Sequence, residues 1–163
     1  NIQFLNSTST KLPFMNNSVD RVLALESAQH FKPLDDFIVE SKRVLTSSGF
    51  LVMAVPITVG SSSLGKLGLL KFTWSSEHYS LNYLKDLLTN NGFKIIDEQL
   101  IGSNVYDPLA DYYVENRKIL SNNILEHYPG YMEKILYKSL LKMKKASQEK
   151  IIDYVLLKCI LKN

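Results

Sequence analysis

One cysteine, Cys159, stands among 163 residues, so no internal disulfide framework is available and the expected setting is a reducing one, the cytoplasm. No run of 18 apolar residues occurs, which excludes a spanning helix, and no charged-then-apolar leader opens the chain, so no secretion signal is expected. Charge of one sign is scarce: 19 basic residues against 16 acidic ones leave +3, too little to argue for a nucleic-acid partner. Seven glycines and five prolines exclude collagen-like and low-complexity chains. Of three histidines, His78 and His127 have no partner at a metal-ligand spacing, so no metal is expected. What is present is ordinary globular material, 45% hydrophobic and 21% charged. A chain of this length forms one domain, or a piece of a larger one, and can bury about two-thirds of its unfolded surface.

The opening Ile2–Leu5 is apolar and reads as a strand already under way, followed by a polar loop through Ser18. Val19–Leu25 is β-compatible. From Pro33 the period changes: Leu34, Phe37, Ile38, Ser41, Val44 and Leu45 fall on one helical face. Asp35 and Asp36 complement the start of that helix, and Lys42 and Arg43 its end. Gly49 closes the helical region, and Phe50–Val55 is a continuous apolar strand. Strand, helix, strand is a βαβ unit, hence an α/β fold with a partly parallel sheet. Residues 56–74 form a Gly/Ser-rich loop; Ser80 caps a helix that Gly92 terminates, and Phe93–Ile101 returns as a strand. Residues 104–148 are helical, with Val105, Leu109, Tyr112 and Tyr113 in one apolar stripe and Met132, Ile135, Leu136, Leu140 and Met143 in another. Ile151–Leu161 is a core strand. Helices set between the last two strands would cap the sheet within the same domain.

Glu26 and His30 lie just past the carboxyl end of a strand, the edge of an open α/β sheet where ligands bind. A histidine there can take a proton from an acceptor hydroxyl or amine, which is the role expected of His30; Glu26 can orient it. The plainer alternative is that Glu26 caps the turn and His30 packs on Phe31. Two further motifs are weak. Gly60–Lys66 has the spacing of a phosphate-binding loop, but Leu67 stands where magnesium needs a hydroxyl. Lys134, Lys138 and Lys142 form a basic helix face, ordinarily a solvated one. Tyrosines 106, 112, 113, 128 and 131 cluster in the helical segment, as core or as the lining of an acceptor cavity.

The order Leu12-Pro13-Phe14, Ser18-Val19-Asp20-Arg21-Val22, Glu26-Ser27-Ala28-Gln29-His30-Phe31 and Arg43-Val44-Leu45…Gly49 resembles the second half of a class I S-adenosylmethionine-dependent methyltransferase acting on small molecules. The likeness continues through Tyr79-Ser80-Leu81 and Leu87–Phe93. It implies a Rossmann-like sheet in the order 3-2-1-4-5-7-6, mostly parallel with an antiparallel last strand, and a helical cap at 104–148. The family's Gly-x-Gly-x-Gly turn is not in the sequence, so the resemblance implies a C-terminal portion lacking the first two strands, with Ile2–Leu5 as the third. It places Thr8 and Ser9 at the adenine of S-adenosylmethionine, Leu25, Glu26 and Ser27 along its sulfonium end, and His30 toward the acceptor. It also implies a bare edge at Val19–Leu25 and self-association there. A non-catalytic interaction module built on the same fold is the alternative.

Overall fold

The computed structural model describes residues 2–60, 63–74 and 77–162, with Ser63 and Leu64 described in backbone only. The elements are β1 (Val19–Leu25), a 3-10 turn (Ala28–His30), α1 (Leu34–Val44), β2 (Leu45–Thr58), α2 (Ser63–Lys66), α3 (Leu70–Thr73), α4 (Leu81–Asn90), β3 (Phe93–Leu100), α5 (Gly102–Glu115), α6 (Arg117–Leu125), α7 (Gly130–Gln148) and β4 (Ile152–Leu161). The four strands form one sheet in the order β1-β2-β4-β3, and β1 pairs with β2 in parallel. This is the 4-5-7-6 part of the expected Rossmann-like order: the last strand in sequence is inserted next to the second.

The chain divides into two compact units, one holding residues 2–55, 79–99 and 155–162, the other residues 56–78 and 100–154. In the first, α1 buries Leu34, Phe37, Ile38, Ser41 and Val44, the face that its apolar spacing marks. The Ser80 hydroxyl accepts the Tyr83 N–H at 3.2 Å and so caps α4. Gly92, at φ +85°, ends that helix in the left-handed conformation that glycine adopts without cost. β2 starts earlier than expected. The helix gives way to strand at Leu45, and the register slips, Val19 pairing with Leu45 but Arg21 with Phe50. Gly49 sits inside this irregularity, where a Cβ would stand 2.9 Å from Leu45 Cδ2 and 3.0 Å from the Asp20 carbonyl.

Ile2–Leu5 is not a strand. Among the described residues β1 has only β2 as a neighbour, and an extended segment without a hydrogen-bonded partner has nothing to hold it as β-structure; Ile2 and Phe4 stay 85% and 95% exposed.

In the second unit α5 and α7 are in contact through only part of the expected stripes: Tyr113 and Leu140 are buried with Ala110, and Met143 packs against them. α5 buries Gly102, Tyr106, Ala110 and Tyr113, and α7 buries Glu133, Ser139, Leu140, Ala146 and Ser147. Leu109, Tyr112, Met132, Ile135 and Leu136 are exposed instead. Small residues let the backbones approach, which a count of bulky apolar side chains cannot register. Helices α2 and α3 lie within the expected 56–74 loop, and no helix among the described residues is long and apolar enough to cross a membrane.

Candidate functional site

The carboxyl end of β1 turns sharply at Glu26. Its backbone is left-handed (φ +49°), a strained conformation for a residue other than glycine, and its N–H donates to the Ala54 carbonyl on β2 at 3.1 Å. The following single turn closes through the His30 N–H to the Ser27 carbonyl at 2.9 Å. Glu26 Oε2 accepts from Gln29 Nε2 at 3.0 Å, so the carboxylate folds over its own turn. Leu25, Glu26 and His30 are exposed, and Ser27 is half-buried. Phe31 packs on Phe37 of α1, with ring centroids 4.7 Å apart.

Beside this turn lies a cavity of about 450 Å³. Its apolar wall comes from Leu12, Phe14, Val22, Ala24, Phe31 and Phe37, and its polar groups from Ser7, Thr8, Ser9 and the cationic Arg21. Thr8 and Ser9 line the cavity together with residues of β1, while Leu25, Glu26, Ser27 and His30 stand at the next turn and not in the lining. An apolar slot with a few hydroxyls at one side suits a flat heterocycle that needs both stacking area and hydrogen bonds, and the volume lies in the usual range of small-molecule sites. No carboxylate lines it among the described residues. It thus fits an adenine ring and offers nothing acidic for ribose hydroxyls.

The segment carrying the rim is fastened by side chains that the sequence pattern did not single out as functional. The Arg43 guanidinium donates to the Leu12 and Phe14 carbonyls at 3.1 and 2.9 Å, and to Glu40 at 2.7 and 2.8 Å. Hydrogen bonding to Arg43 holds the Glu40 carboxyl below its ordinary range, against the opposing effect of burial.

The helical unit has its own aromatic cluster. Trp74 Nε1 donates to Tyr106 Oη at 3.1 Å, and His78 and Tyr154 complete the group, at ring distances of 5.6 Å from Trp74 and 6.3 Å from Tyr106. His78 Nε2 is buried without a hydrogen-bond partner. Of the five tyrosines marked in the helical segment, Tyr106 and Tyr113 are core, and Tyr112, Tyr128 and Tyr131 are exposed. The phosphate-loop-like stretch at 60–66 includes residues 61 and 62, which lie outside the described residues. No group of three metal-ligating side chains occurs among the described residues.

Residues 1–53 match the model of a methyltransferase domain family. The chain is 28% identical over 128 residues to the erythromycin 3''-O-methyltransferase of Saccharopolyspora erythraea, an alignment covering 69% of this chain and 40% of that protein. Among solved structures, the geranyl diphosphate C-methyltransferase of Streptomyces coelicolor, in complex with Mg2+, geranyl diphosphate and S-adenosyl-L-homocysteine, superposes with a TM-score of 0.67 at 14% identity, over 95% of this chain and 52% of that one. The cyclase SpnF gives a TM-score of 0.70 at 17% identity, over 96% of this chain and 54% of that one. The chain thus spans two-fifths to about half the length of the proteins it matches. The family match over residues 1–53 and the shared fold bear out the resemblance read from Leu12–Phe14 and Glu26–Phe31.

Proposed function

We propose that this chain supplies the acceptor side of an S-adenosylmethionine-dependent transfer of a methyl group to a small molecule. The observation that carries this reading is the cavity that brings Thr8 and Ser9 against β1, one turn from Glu26 and His30. Thr8 and Ser9 hydrogen-bond the adenine ring, and Leu12, Phe14 and Phe31 give it apolar walls. S-adenosylmethionine, when bound, supplies a methyl group already activated by its sulfonium. The chain's own work is then alignment: the turn Leu25–Ser27 fixes where the acceptor approaches, and exposed His30 receives the proton that the acceptor loses as its new bond to carbon forms. Glu26 supports that turn through Gln29.

Among the described residues the cavity lining holds no carboxylate, so we further propose that partners for the ribose lie elsewhere and that this chain alone is inactive. A curated relative that methylates an oxygen of a small organic molecule supports the acceptor class.

A second reading, a non-catalytic module that pairs through its sheet edge with another copy, draws on β1. Among the described residues this strand borders only β2, and its Leu23 and Leu25 are 60% and 58% exposed. A cyclase with the same fold is a reminder that fold alone does not set the reaction.

The test is turnover of a labelled methyl donor by the complete polypeptide across small alcohols and amines. His30→Ala is expected to lower kcat by about a hundredfold, the usual worth of a positioned base. Unchanged turnover removes His30 from the mechanism.

A further inference from the structure

The rim of the cavity sits on a segment with little secondary structure of its own. Between Thr8 and Asn16 the backbone makes one isolated bridge, Thr8 with Lys11, and a short Phe14 N–H to Leu12 carbonyl bond of 2.8 Å. What holds it comes from the last turn of α1. All five N–H groups of Arg43 are donated: Nε to Glu40 Oε2 at 2.8 Å, and the two terminal nitrogens to Glu40 Oε1 (2.7 Å), the Leu12 carbonyl (3.1 Å), the Phe14 carbonyl (2.9 Å) and Asn16 Oδ1 (2.8 Å). Glu40 Oε1 accepts the Leu12 N–H at 2.7 Å as well. The helix end adds two backbone bonds, Asn17 N–H to the Arg43 carbonyl and Ser18 N–H to the Val44 carbonyl. Leu12 is thus held at both its N–H and its carbonyl by one ion pair. Leu12 and Phe14 are also the cavity wall next to Thr8 and Ser9.

We propose that Glu40 and Arg43 are the positioning pair of the binding cavity: together they fix Leu12–Asn16 on α1 and so pre-form the wall and rim that meet the ligand. The proposal rests on the cofactor reading above. Its physical basis is that ordering a loop costs conformational entropy, a cost that a ligand need not meet if the loop is already held. Glu40 is 9% exposed, so its charge needs the guanidinium, and the planar five-donor fork has no equivalent in lysine.

Arg43→Lys and Glu40→Gln are compared with the wild-type chain by amide exchange and by titration with S-adenosylhomocysteine. Exchange of the Leu12 and Asn17 amides is expected to quicken at least tenfold, with β2 and β4 amides unaltered, and the affinity for S-adenosylhomocysteine to fall about tenfold. Asn16→Ala, which removes one of the five contacts and tolerates folding most readily, is expected to lie between. Faster exchange with unaltered affinity overturns the proposal, since the pair would then hold a loop that does not shape the site. Unaltered exchange at Leu12 overturns it too. If the wild-type chain shows no binding, the cofactor reading falls; the pair is then judged on exchange alone, and the same unaltered Leu12 amide rejects it.

Discussion

The Arg117 guanidinium grips Glu133 with two hydrogen bonds, Nε to Oε1 at 2.9 Å and a terminal nitrogen to Oε2 at 3.2 Å. The same guanidinium lies 3.6 Å over the ring of Tyr137, and Tyr113 Oη donates to Glu133 Oε1 at 3.2 Å. One buried carboxylate therefore ties α5, α6 and α7 together. Glu133→Gln keeps the shape and removes the charge. It is expected to lower stability by about 1 kcal/mol, a modest value because Arg117 remains 40% exposed to solvent. Urea denaturation measures it; a stability equal to the wild type's would mean the network contributes only geometry.

Acid should find the same carboxylates. Arg117 holds the Glu133 carboxyl below its unfolded value of 4.5, and Arg43 does the same for Glu40. A carboxyl depressed in the folded state binds protons more weakly than in the unfolded one, so its contribution is complete above the unfolded value and fades as pH falls through the folded one. Stability is expected to hold level down to about pH 5 and to decline below it, less steeply in Glu133→Gln. A decline of equal slope in both proteins would assign acid sensitivity to other groups.

Gly49 is walled in closely by backbone. A methyl there meets Leu45 Cδ2 at 2.9 Å, the Asp20 carbonyl at 3.0 Å and the Thr46 carbonyl at 3.1 Å, two of them backbone atoms that cannot step aside cheaply. Gly49→Ala is expected to cost about 1–3 kcal/mol and to loosen the pairing of Val19 with Leu45. A neutral result in thermal unfolding would show that the strand irregularity has slack.

Cys159 faces the core on β4, and burial pushes its thiol up to about 12. The native chain is expected to resist a thiol reagent at pH 8 and to react with one equivalent only after unfolding in denaturant. Rapid labelling of the native protein would mean that β4 opens.

Much of the first unit was legible because its signals are local. Ser80 and Gly92 mark α4 by their chemistry, and Val19–Leu25 and Phe93–Leu100 by composition and turns. The helical unit was legible in extent but only partly in phase. Its inward faces use Gly102, Ala110, Ala146, Ser139, Ser147 and the Glu133 ion pair, and none of these weighs in a search for bulky apolar periodicity. Arg43 was visible as a helix-end cation, but its bonds to Leu12, Phe14 and Asn16 join residues about thirty positions apart, which spacing cannot reveal. Ile2–Leu5 failed as a strand for the opposite reason: its composition suits a strand, but strands also need a neighbour.

The most direct test of the account is to follow the backbone amide resonances of the 163-residue chain while S-adenosylhomocysteine is added. The account predicts shifts confined to residues 7–14 and 22–31, saturating only near millimolar ligand, and abolished at Thr8 and Ser9 when Ala24→Phe fills the cavity. Shifts centred on Trp74 and Tyr106, or micromolar binding that Ala24→Phe leaves intact, would contradict it.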